Sequence, residues 1–335
     1  YSFMEFIKEV VDKKNIIKQD IGINPFLIEN NFNQIEKFSK FLTNTTSILL
    51  VNGFMGTGKV LVVNQALSFL EPDVITLKYN CFETTILDDI LLEFFDNFKK
   101  LTTQGIIQIP KAGTENFTQK INAYFDSIEK PIVIVLNSFE QVLKDNKQEI
   151  LDFIKHLSKY PKIKFILIAR KFDYNDFPEN AERVAISALD KNIFEKFLKS
   201  EDFKQIGPLS DELYKYSRGY YFYTTLSIKI MQIRKLNLME FLSGYTKSFL
   251  SFNDFILREA LSLVDPISGH LVRFLTIMRH PVNIKLLKTL HLYDADRLAF
   301  LIDNMVLTRE GSLIYLQDYY KDISENSIAD NIALK

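Results

Sequence analysis

The most informative segment for predicting the fold is ILLVNGFMGTGKVLVVNQAL, residues 48–67. An apolar run ends at Asn52, a glycine-rich segment follows, and residues with helical spacing begin at Lys59. The segment matches G-x-x-x-x-G-K, in which glycines let successive backbone N–H groups turn toward phosphate oxygens. The lysine adds a charge for the β- and γ-phosphates, and the helix adds its positive N-terminal end. The pattern predicts a phosphate-binding loop made of Gly53, Phe54, Met55, Gly56, Thr57, Gly58 and Lys59.

The position after the lysine is Val60, where such loops place a serine or threonine. That hydroxyl normally completes the coordination shell of Mg²⁺, which takes oxygen ligands in near-ideal octahedral geometry. A valine side chain has no ligand atom, and its branched bulk fills the space of the metal and its water. Thr57 is not expected to replace it, because it lies on the other side of Lys59.

A second departure lies at the end of PIVIVLNSFE, residues 131–140. Strands of this kind usually end in an aspartate that anchors Mg²⁺ through water, whereas this strand ends in Asn137, an uncharged and poorer metal partner. Glu140 follows three residues later and has two interpretations. It polarises a catalytic water, or it is a carboxylate at a helix start that the helix dipole stabilises.

Apolar runs alternate with amphipathic segments up to residue 189, which predicts an α/β fold whose parallel sheet is covered by helices on both faces. Residues 22–31, which contain INPFLIENN, are interpreted as a turn. The predicted strands are 47–52, 73–79, 131–140, 162–170 and 183–187, and the predicted helices are 2–16, 33–41, 59–70, 86–101, 116–128 and 148–157.

The pattern changes after residue 189, which gives four expected domains. Residues 1–30 form an N-terminal helix and leading segment, residues 31–189 the nucleotide-binding domain, and residues 190–263 a helical lid without strands. Residues 264–335 contain three helices and the alternating run MVLTREGSLIYLQDYY, which predicts a β-hairpin at REGS and hence a winged helix. Because the chain begins at Tyr1 and ends within the helical pattern SIADNIALK, we expect it to be part of a longer protein.

Composition excludes several classes of function. The formal net charge of −1 gives no global attraction to nucleic acid or to anionic membranes. Cys81 is the only cysteine, so no intrachain disulfide forms, and we expect it to be a small buried side chain. No apolar run approaches the roughly 20 residues that span a bilayer. The histidines, which are interpreted as structural rather than metal ligands, are His156, His270, His280 and His291.

These motifs together resemble the STAND branch of the AAA+-related P-loop ATPases, neighbours of the archaeal Orc/Cdc6 initiators, over residues 22–322. NGFMGTGK is similar to the Walker A loop and PIVIVLNSFE to the Walker B strand. FILIAR looks like the sensor strand, whose terminal arginine, here Arg170, would contact the γ-phosphate. INPF resembles the motif that opens the nucleotide-binding domain, without its usual arginine. YKYSRGYYFYTTLSIKI resembles the lid, with Tyr220 after Gly219 in place of the expected glycine-x-proline.

The resemblance implies a cytoplasmic regulatory or scaffold protein that binds ATP or ADP and has protein partners or associates with itself. Val60 and Asn137 imply weak or absent hydrolysis and no firmly held Mg²⁺. Two alternatives stay open: an Orc/Cdc6-like DNA-binding protein, and an active ATPase that uses Glu140 with substituted metal ligands. The basic residues available to DNA in the winged helix are Lys285, Lys288, Arg297 and Arg309. The aromatic residues of 217–225 are interpreted as core rather than as a base-stacking surface.

Overall fold

The computed structural model describes residues 24–68, 74–107, 117–201, 208–278 and 280–320. The chain divides into two compact units, Tyr1–Leu189 and Asp190–Lys335, and each is described by itself. The helix predicted at 2–16 and the helical pattern at the C-terminus lie outside the described residues.

The first unit alternates strands with helices. Its helices are α1 (Pro25–Asn30), α2 (Phe32–Thr43), α3 (Lys59–Ser68), α4 (Leu87–Thr103), α5 (Phe117–Ser127) and α6 (Lys144–Leu157). Its strands are β1 (Ile48–Asn52), β2 (Ile75–Asn80), β3 (Ile132–Asn137), β4 (Ile163–Ala169) and β5 (Glu182–Ala185). Short 3₁₀ turns cover Phe139–Gln141 and Tyr174–Asp176.

The five strands form one parallel sheet in the order β2-β3-β4-β1-β5. Every residue of β4 is buried, and so are all but the last residues of β1 and β3. Leu50, Ile134 and Phe165 belong to one apolar cluster, while the alternate residues of the same strands are equally buried outside it. Both faces of the sheet are therefore covered, which explains why these strands are apolar throughout. The predicted α/β class is confirmed.

The expectation of a turn at residues 22–31 was wrong, because α1 forms there. The side chain of Asn24 accepts hydrogen bonds from the backbone N–H groups of Phe26 and Leu27, and Pro25 occupies the first turn. An Asn cap followed by proline is a helix-start signal, since proline lacks an N–H that the first turn would leave unpaired anyway.

The second unit is helical up to a small antiparallel sheet. Its helices are α7 (Lys191–Ser200), α8 (Pro208–Ser217), α9 (Tyr221–Arg234), α10 (Leu238–Lys247), α11 (Phe252–Ser262), α12 (Pro266–Met278), α13 (Ile284–Thr289) and α14 (Ala295–Asp303). Its strands are β6 (Val282–Asn283), β7 (Leu307–Glu310) and β8 (Leu313–Leu316), in the order β6-β8-β7. A 3₁₀ turn follows at Asp318–Tyr320.

The hairpin expected at REGS is formed by β7 and β8, and Gly311 has the left-handed φ of 58° that a two-residue turn favours. The short strand β6 was not expected, and the winged-helix assignment stays a prediction. The core interpretation of residues 217–225 is confirmed for Phe222 and Tyr223, which are buried. The Phe222 ring stacks on Tyr319 with 3.7 Å between centroids.

Candidate functional site

The glycine-rich loop joins the carboxyl end of β1 to α3. Gly56 and Gly58 have φ values of 91° and 87°, which side-chain-bearing residues rarely adopt. Gly53 is required for a different reason, since a Cβ atom there would lie 2.5 Å from the carbonyl oxygen of Ile186. The backbone geometry of the loop therefore requires glycine at each of these three positions. A loop of this shape can surround an anion with backbone N–H groups.

Two neighbouring segments hold the loop in place. Leu27 of α1 is fully buried, and its methyl groups lie 3.2 Å from where a Cβ of Gly58 would be. After β5, Ile186 donates its N–H to the carbonyl oxygen of Asn52 at 2.8 Å. The Nδ2 of Asn30, also on α1, donates to the carbonyl oxygen of Ala188 at 3.0 Å. The helix α1 and the segment that follows β5 therefore both support the loop.

The Lys59 ammonium group lies across the loop. Its Nζ donates to the carbonyl oxygens of Gly53 at 2.8 Å and Phe54 at 3.0 Å. Burial lowers the pKa of Lys59 to about 8; the Glu140 carboxylate opposes that shift, and the Arg170 guanidinium adds to it. A partly desolvated ammonium that is bonded to neutral carbonyl oxygens gains stronger hydrogen bonds when negatively charged phosphate oxygens replace them.

Arg170 and Glu140 form an ion pair beside the loop. Arg170 follows the end of β4, and Glu140 lies in the 3₁₀ turn after β3. The Arg170 Nε donates to the Glu140 Oε1 at 2.8 Å, and its Nη1 lies 3.8 Å from the Met55 Sδ of the loop. The other carboxylate oxygen, Glu140 Oε2, is buried and has no hydrogen-bond partner among the described residues. Such an oxygen is costly to leave unpaired, so the Glu140 carboxylate depends on its pair with Arg170.

The two positions that would hold a metal carry no metal ligand of the usual kind. Val60 is exposed and has no oxygen. The Nδ2 of Asn137 donates to the Asn80 Oδ1 at 2.7 Å, so a neutral amide pair stands at the end of β3. The Thr57 hydroxyl is buried and donates to the Phe54 carbonyl oxygen at 3.0 Å. Among the described residues, no group of three His, Cys, Asp or Glu could hold a metal ion.

The residues present therefore fit a polyphosphate and do not fit a tightly held Mg²⁺. The loop supplies backbone N–H groups and the Lys59 ammonium group, and the Thr57 N–H donates to the Phe54 carbonyl oxygen at 3.3 Å. The hydroxyl and the carboxylate that Mg²⁺ would need are replaced by an alkyl group and an amide. Gly53–Lys59, Val60, Asn137, Glu140 and Arg170 all lie at the carboxyl edge of the sheet, so every candidate site residue that the sequence indicated is brought to one place.

Sequence reasoning missed three residues that shape the site. Asn80 partners Asn137, Leu27 packs against Gly58, and Ile186 confines Gly53. A signal existed for the first, because Asn80 is the polar residue that ends an apolar strand, as Asn137 does, and the two are paired in register. The contacts of Leu27 and Ile186 depend on chain segments far apart in sequence, and no local pattern indicates them.

The basic residues proposed for DNA have local contacts. The Arg309 Nε donates to the Gly311 carbonyl oxygen at 3.0 Å, and the Arg297 Nε lies 4.0 Å from the Asp265 Oδ1. The Lys288 Nζ lies 4.8 Å from the centre of the Tyr293 ring. No feature of these contacts favours a nucleic-acid surface, and DNA binding stays a prediction. Cys81 is buried as expected, and burial raises the pKa of its thiol.

A parallel sheet in this order, with a glycine-rich loop and lysine between the inner strand β1 and a helix, defines a P-loop NTPase. A family model described as the KAP family P-loop domain matches residues 27–200, more than half of the chain. The chain therefore belongs to the KAP family of P-loop NTPases, and membership implies that it binds a nucleotide. No curated protein matches the chain. Among the described residues, no helix is long and apolar enough to cross a membrane.

Solved structures share the fold at low sequence identity. A STAND (signal transduction ATPase with numerous domains) protein with a tetratricopeptide repeat sensor from Pyrococcus horikoshii matches with TM-score 0.59 and 14% identity, covering 87% of this chain and 42% of that one. This chain thus spans less than half of that protein's length. The Walker-type ATPase of Pyrococcus abyssi matches with TM-score 0.51 and 12% identity, covering 88% and 95%. The resemblance to STAND-type P-loop ATPases is confirmed at the level of fold.

A third structure, the Aeropyrum pernix Orc1 protein in complex with DNA, matches with TM-score 0.46 and 13% identity, covering 90% of this chain and 92% of that one. The Orc1 protein binds DNA, and so low a TM-score transfers nothing of that to this chain.

Proposed function

We propose that this protein is a regulatory or scaffold member of the KAP family that binds ATP or ADP and hydrolyses it weakly or not at all. One observation carries the proposal: the glycines and Lys59 of the phosphate loop are present, while neither Val60 nor Asn137, at the two metal-holding positions, is the usual ligand. One lost ligand can be replaced by water or by a neighbour. If both protein ligands of one Mg²⁺ ion are absent, the ion is held mainly by the nucleotide.

Each residue has a role in this proposal. The backbone N–H groups of Gly53–Lys59 and the Lys59 ammonium hold the phosphates, and Arg170 is the cation nearest to a further phosphate. Glu140 is placed to accept a proton from water, but its Oε1 is already bonded to Arg170. A bound Mg²⁺ would supply charge neutralisation at the transferring phosphate, and losing one such stabilising contact costs on the order of 10²–10³ in rate.

The proposed partners are other proteins or further copies of this chain. The STAND neighbour from Pyrococcus horikoshii is a signal transduction ATPase that carries a sensor, and this chain shares its fold over the part that both possess. A nucleotide that is held and not consumed suits a structural or switching role rather than turnover. Cytoplasmic localisation remains part of the proposal.

The experiment that tests the proposal measures nucleotide content and binding. The purified chain is denatured, and the released nucleotide is identified by chromatography. Binding of ATP and ADP to the nucleotide-free chain is then measured by calorimetry, with EDTA and with Mg²⁺. We expect binding that survives EDTA and is lost on the order of 100-fold in Lys59→Ala, since the charged hydrogen bonds disappear. Lys155→Ala, an exposed lysine on α6, is the matched control.

Two outcomes would contradict the proposal. If neither nucleotide binds to the folded chain, the loop is only a connection between β1 and α3. If the wild-type chain releases phosphate steadily in Mg²⁺ and Lys59→Ala does not, the protein is an active ATPase with substituted metal ligands.

A further inference from the structure

Two cations and one carboxylate meet beside the phosphate loop. The Arg170 Nε and Glu140 Oε1 are 2.8 Å apart, and Lys59 is close enough to both side chains for its own charge to respond to them. Arg170 keeps about half of its side chain exposed (53%), whereas that of Glu140 is 20% exposed. The carboxylate is the more buried partner, so it depends more on the pair than the guanidinium does.

Within the described residues, Arg170 is the hydrogen-bond partner of Glu140. Its Oε2 is buried and makes no hydrogen bond within the described part of the chain. If Arg170 turned away to bind another anion, both oxygens of a largely buried carboxylate would be unpaired. Removing one member of such a pair is unfavourable, because the carboxylate that remains is only 20% exposed and would have the Lys59 ammonium as its nearby counterion. Glu140 bonds to the Nε of Arg170 and neutralises much of the guanidinium charge, so a ligand gains less from this arginine than from an unpaired one.

A diphosphate and a triphosphate make different demands on this arrangement. The loop amides and Lys59 are sufficient for two phosphates. A third phosphate adds negative charge and needs a further cation, and the nearest one is Arg170. In most P-loop sites Mg²⁺ would separate that phosphate from nearby carboxylates, but Val60 and Asn137 provide no anchor for it. The third phosphate would then meet the Glu140 carboxylate without a screening ion, and like charges at close range repel.

We propose that this site selects nucleoside diphosphates over triphosphates, because the Glu140 carboxylate is already paired with the Arg170 guanidinium that a third phosphate would need. This inference rests on the proposed function, since it names the ligand class of the same phosphate loop. It makes Glu140 a specificity-determining residue rather than a catalytic base, and it makes the ion pair with Arg170 the element that sets the preference.

The test is calorimetric titration of the nucleotide-free chain with ADP and with ATP, each in EDTA. We expect ADP to bind at least about tenfold more tightly than ATP, which is the size of effect that one close charge pair produces. In Glu140→Gln the carboxylate charge is gone, so affinity for ATP should rise by about tenfold while affinity for ADP changes less than about threefold. Glu140→Asp keeps the charge and should keep the preference. Glu149→Gln, an exposed glutamate on α6, is the control.

The outcomes separate this inference from the proposed function. If both nucleotides bind and ATP is equal or tighter in the wild-type chain, the selectivity inference fails and the proposed function stands. If Glu140→Gln shifts both nucleotides equally, the carboxylate is not the selective element and the inference also fails. If neither nucleotide binds to the wild-type chain, both fail. The wild-type comparison decides the question even where a Glu140 variant does not fold.

Discussion

The candidate site has two parts: the phosphate loop, Gly53–Lys59, and the metal-holding edge, which consists of Val60 and Asn137. The two parts differ in whether they carry the residue types that P-loop sites usually have. In the loop, Gly53, Gly56 and Gly58 each satisfy a demand of the backbone, and Lys59 bonds to the loop's own carbonyls. At the edge, Val60 has no ligand atom, and the amide of Asn137 is bonded to another amide. The loop has the residues that bind phosphate, whereas the edge lacks the hydroxyl and the carboxylate that usually anchor Mg²⁺.

This difference indicates that nucleotide binding and nucleotide hydrolysis have separate physical requirements in one fold. Binding needs N–H groups and a cation, which the loop provides through its backbone and a single side chain. Turnover needs a metal that neutralises charge as the phosphate transfers. Under the proposed function, the absence of the metal ligands removes turnover and leaves nucleotide binding in place.

The largest expected effect comes from restoring the edge. In the double variant Val60→Ser, Asn137→Asp, a hydroxyl and a carboxylate return to the positions that hold Mg²⁺. We expect steady-state phosphate release to rise on the order of 10²–10³-fold and to disappear in EDTA. The measurement is release of inorganic phosphate from ATP, with each single variant as a control. A double variant as inactive as the wild-type chain would show that the defect lies elsewhere in the site.

Disrupting the cradle comes next. A Cβ in Gly53→Ala would lie 2.5 Å from the Ile186 carbonyl oxygen, so the loop must shift. We expect a loss of about 1–3 kcal/mol in the free energy of unfolding. Displacing the loop should also weaken nucleotide binding on the order of 100-fold.

The matched control for that change is Gly269→Ala on α12, where a Cβ would meet nothing within 4 Å. An alanine inside a helix should stabilise the chain by about 0.5–1 kcal/mol and leave binding unchanged. Thermal unfolding and calorimetry measure both variants. Equal effects at Gly53 and Gly269 would mean that the close approach to Ile186 does not determine the residue.

Much of this comparison could be predicted from the sequence, because its parts are local. The glycine pattern, the lysine and the two missing ligands are all visible in short motifs. The five strands were also predictable, since continuous apolar runs between helices are typical of a covered parallel sheet. The helix α1 was missed because it has only six residues and begins within a segment rich in asparagine, which favours turns as well as helix caps.

The remaining features depend on contacts between distant segments. Arg170 and Glu140 were each identified from the strand that they follow, and their pairing depends on β3 and β4 lying side by side. A sequence gives no direct measure of that adjacency. The sequence therefore predicted a sensor role for Arg170 and left Glu140 as either a water-polarising group or a helix-start carboxylate, without indicating the ion pair between them. The short strand β6 likewise forms only because it pairs with β8.

The pH dependence of nucleotide binding tests the role of the Lys59 ammonium in the phosphate loop. The pKa of Lys59 is about 8 in the free protein, and nearby phosphates should raise it. Binding above pH 8 then takes up a proton, so affinity should fall by up to about tenfold per pH unit. Calorimetry in buffers of different ionisation enthalpy measures this uptake. Lys59→Arg stays protonated and should show no such fall near pH 8. A wild-type affinity that is constant to pH 9.5 would contradict the prediction.

Folding stability should respond to the same group with the opposite sign. The pKa of Lys59 lies below its ordinary value of 10.5, so the unfolded chain holds more protons between about pH 8 and 10.5. The contribution of Lys59 to the free energy of unfolding should therefore increase as pH rises through that window. Chemical denaturation of the wild-type chain and of Lys59→Met across these pH values isolates the contribution, since methionine does not titrate.

The smallest expected effect tests whether the loop supplies a replacement metal ligand. The Thr57 hydroxyl donates to the Phe54 carbonyl oxygen and is buried, so it is committed to the loop's own structure. In Thr57→Val we expect a loss of about 1 kcal/mol in the free energy of unfolding, the usual contribution of one hydrogen bond. Nucleotide affinity should change by less than about threefold, both in EDTA and in Mg²⁺, because no metal contact is removed. A variant whose affinity falls only in Mg²⁺ would show that Thr57 reaches the metal, and the two parts of the site would then be less separate than the geometry indicates.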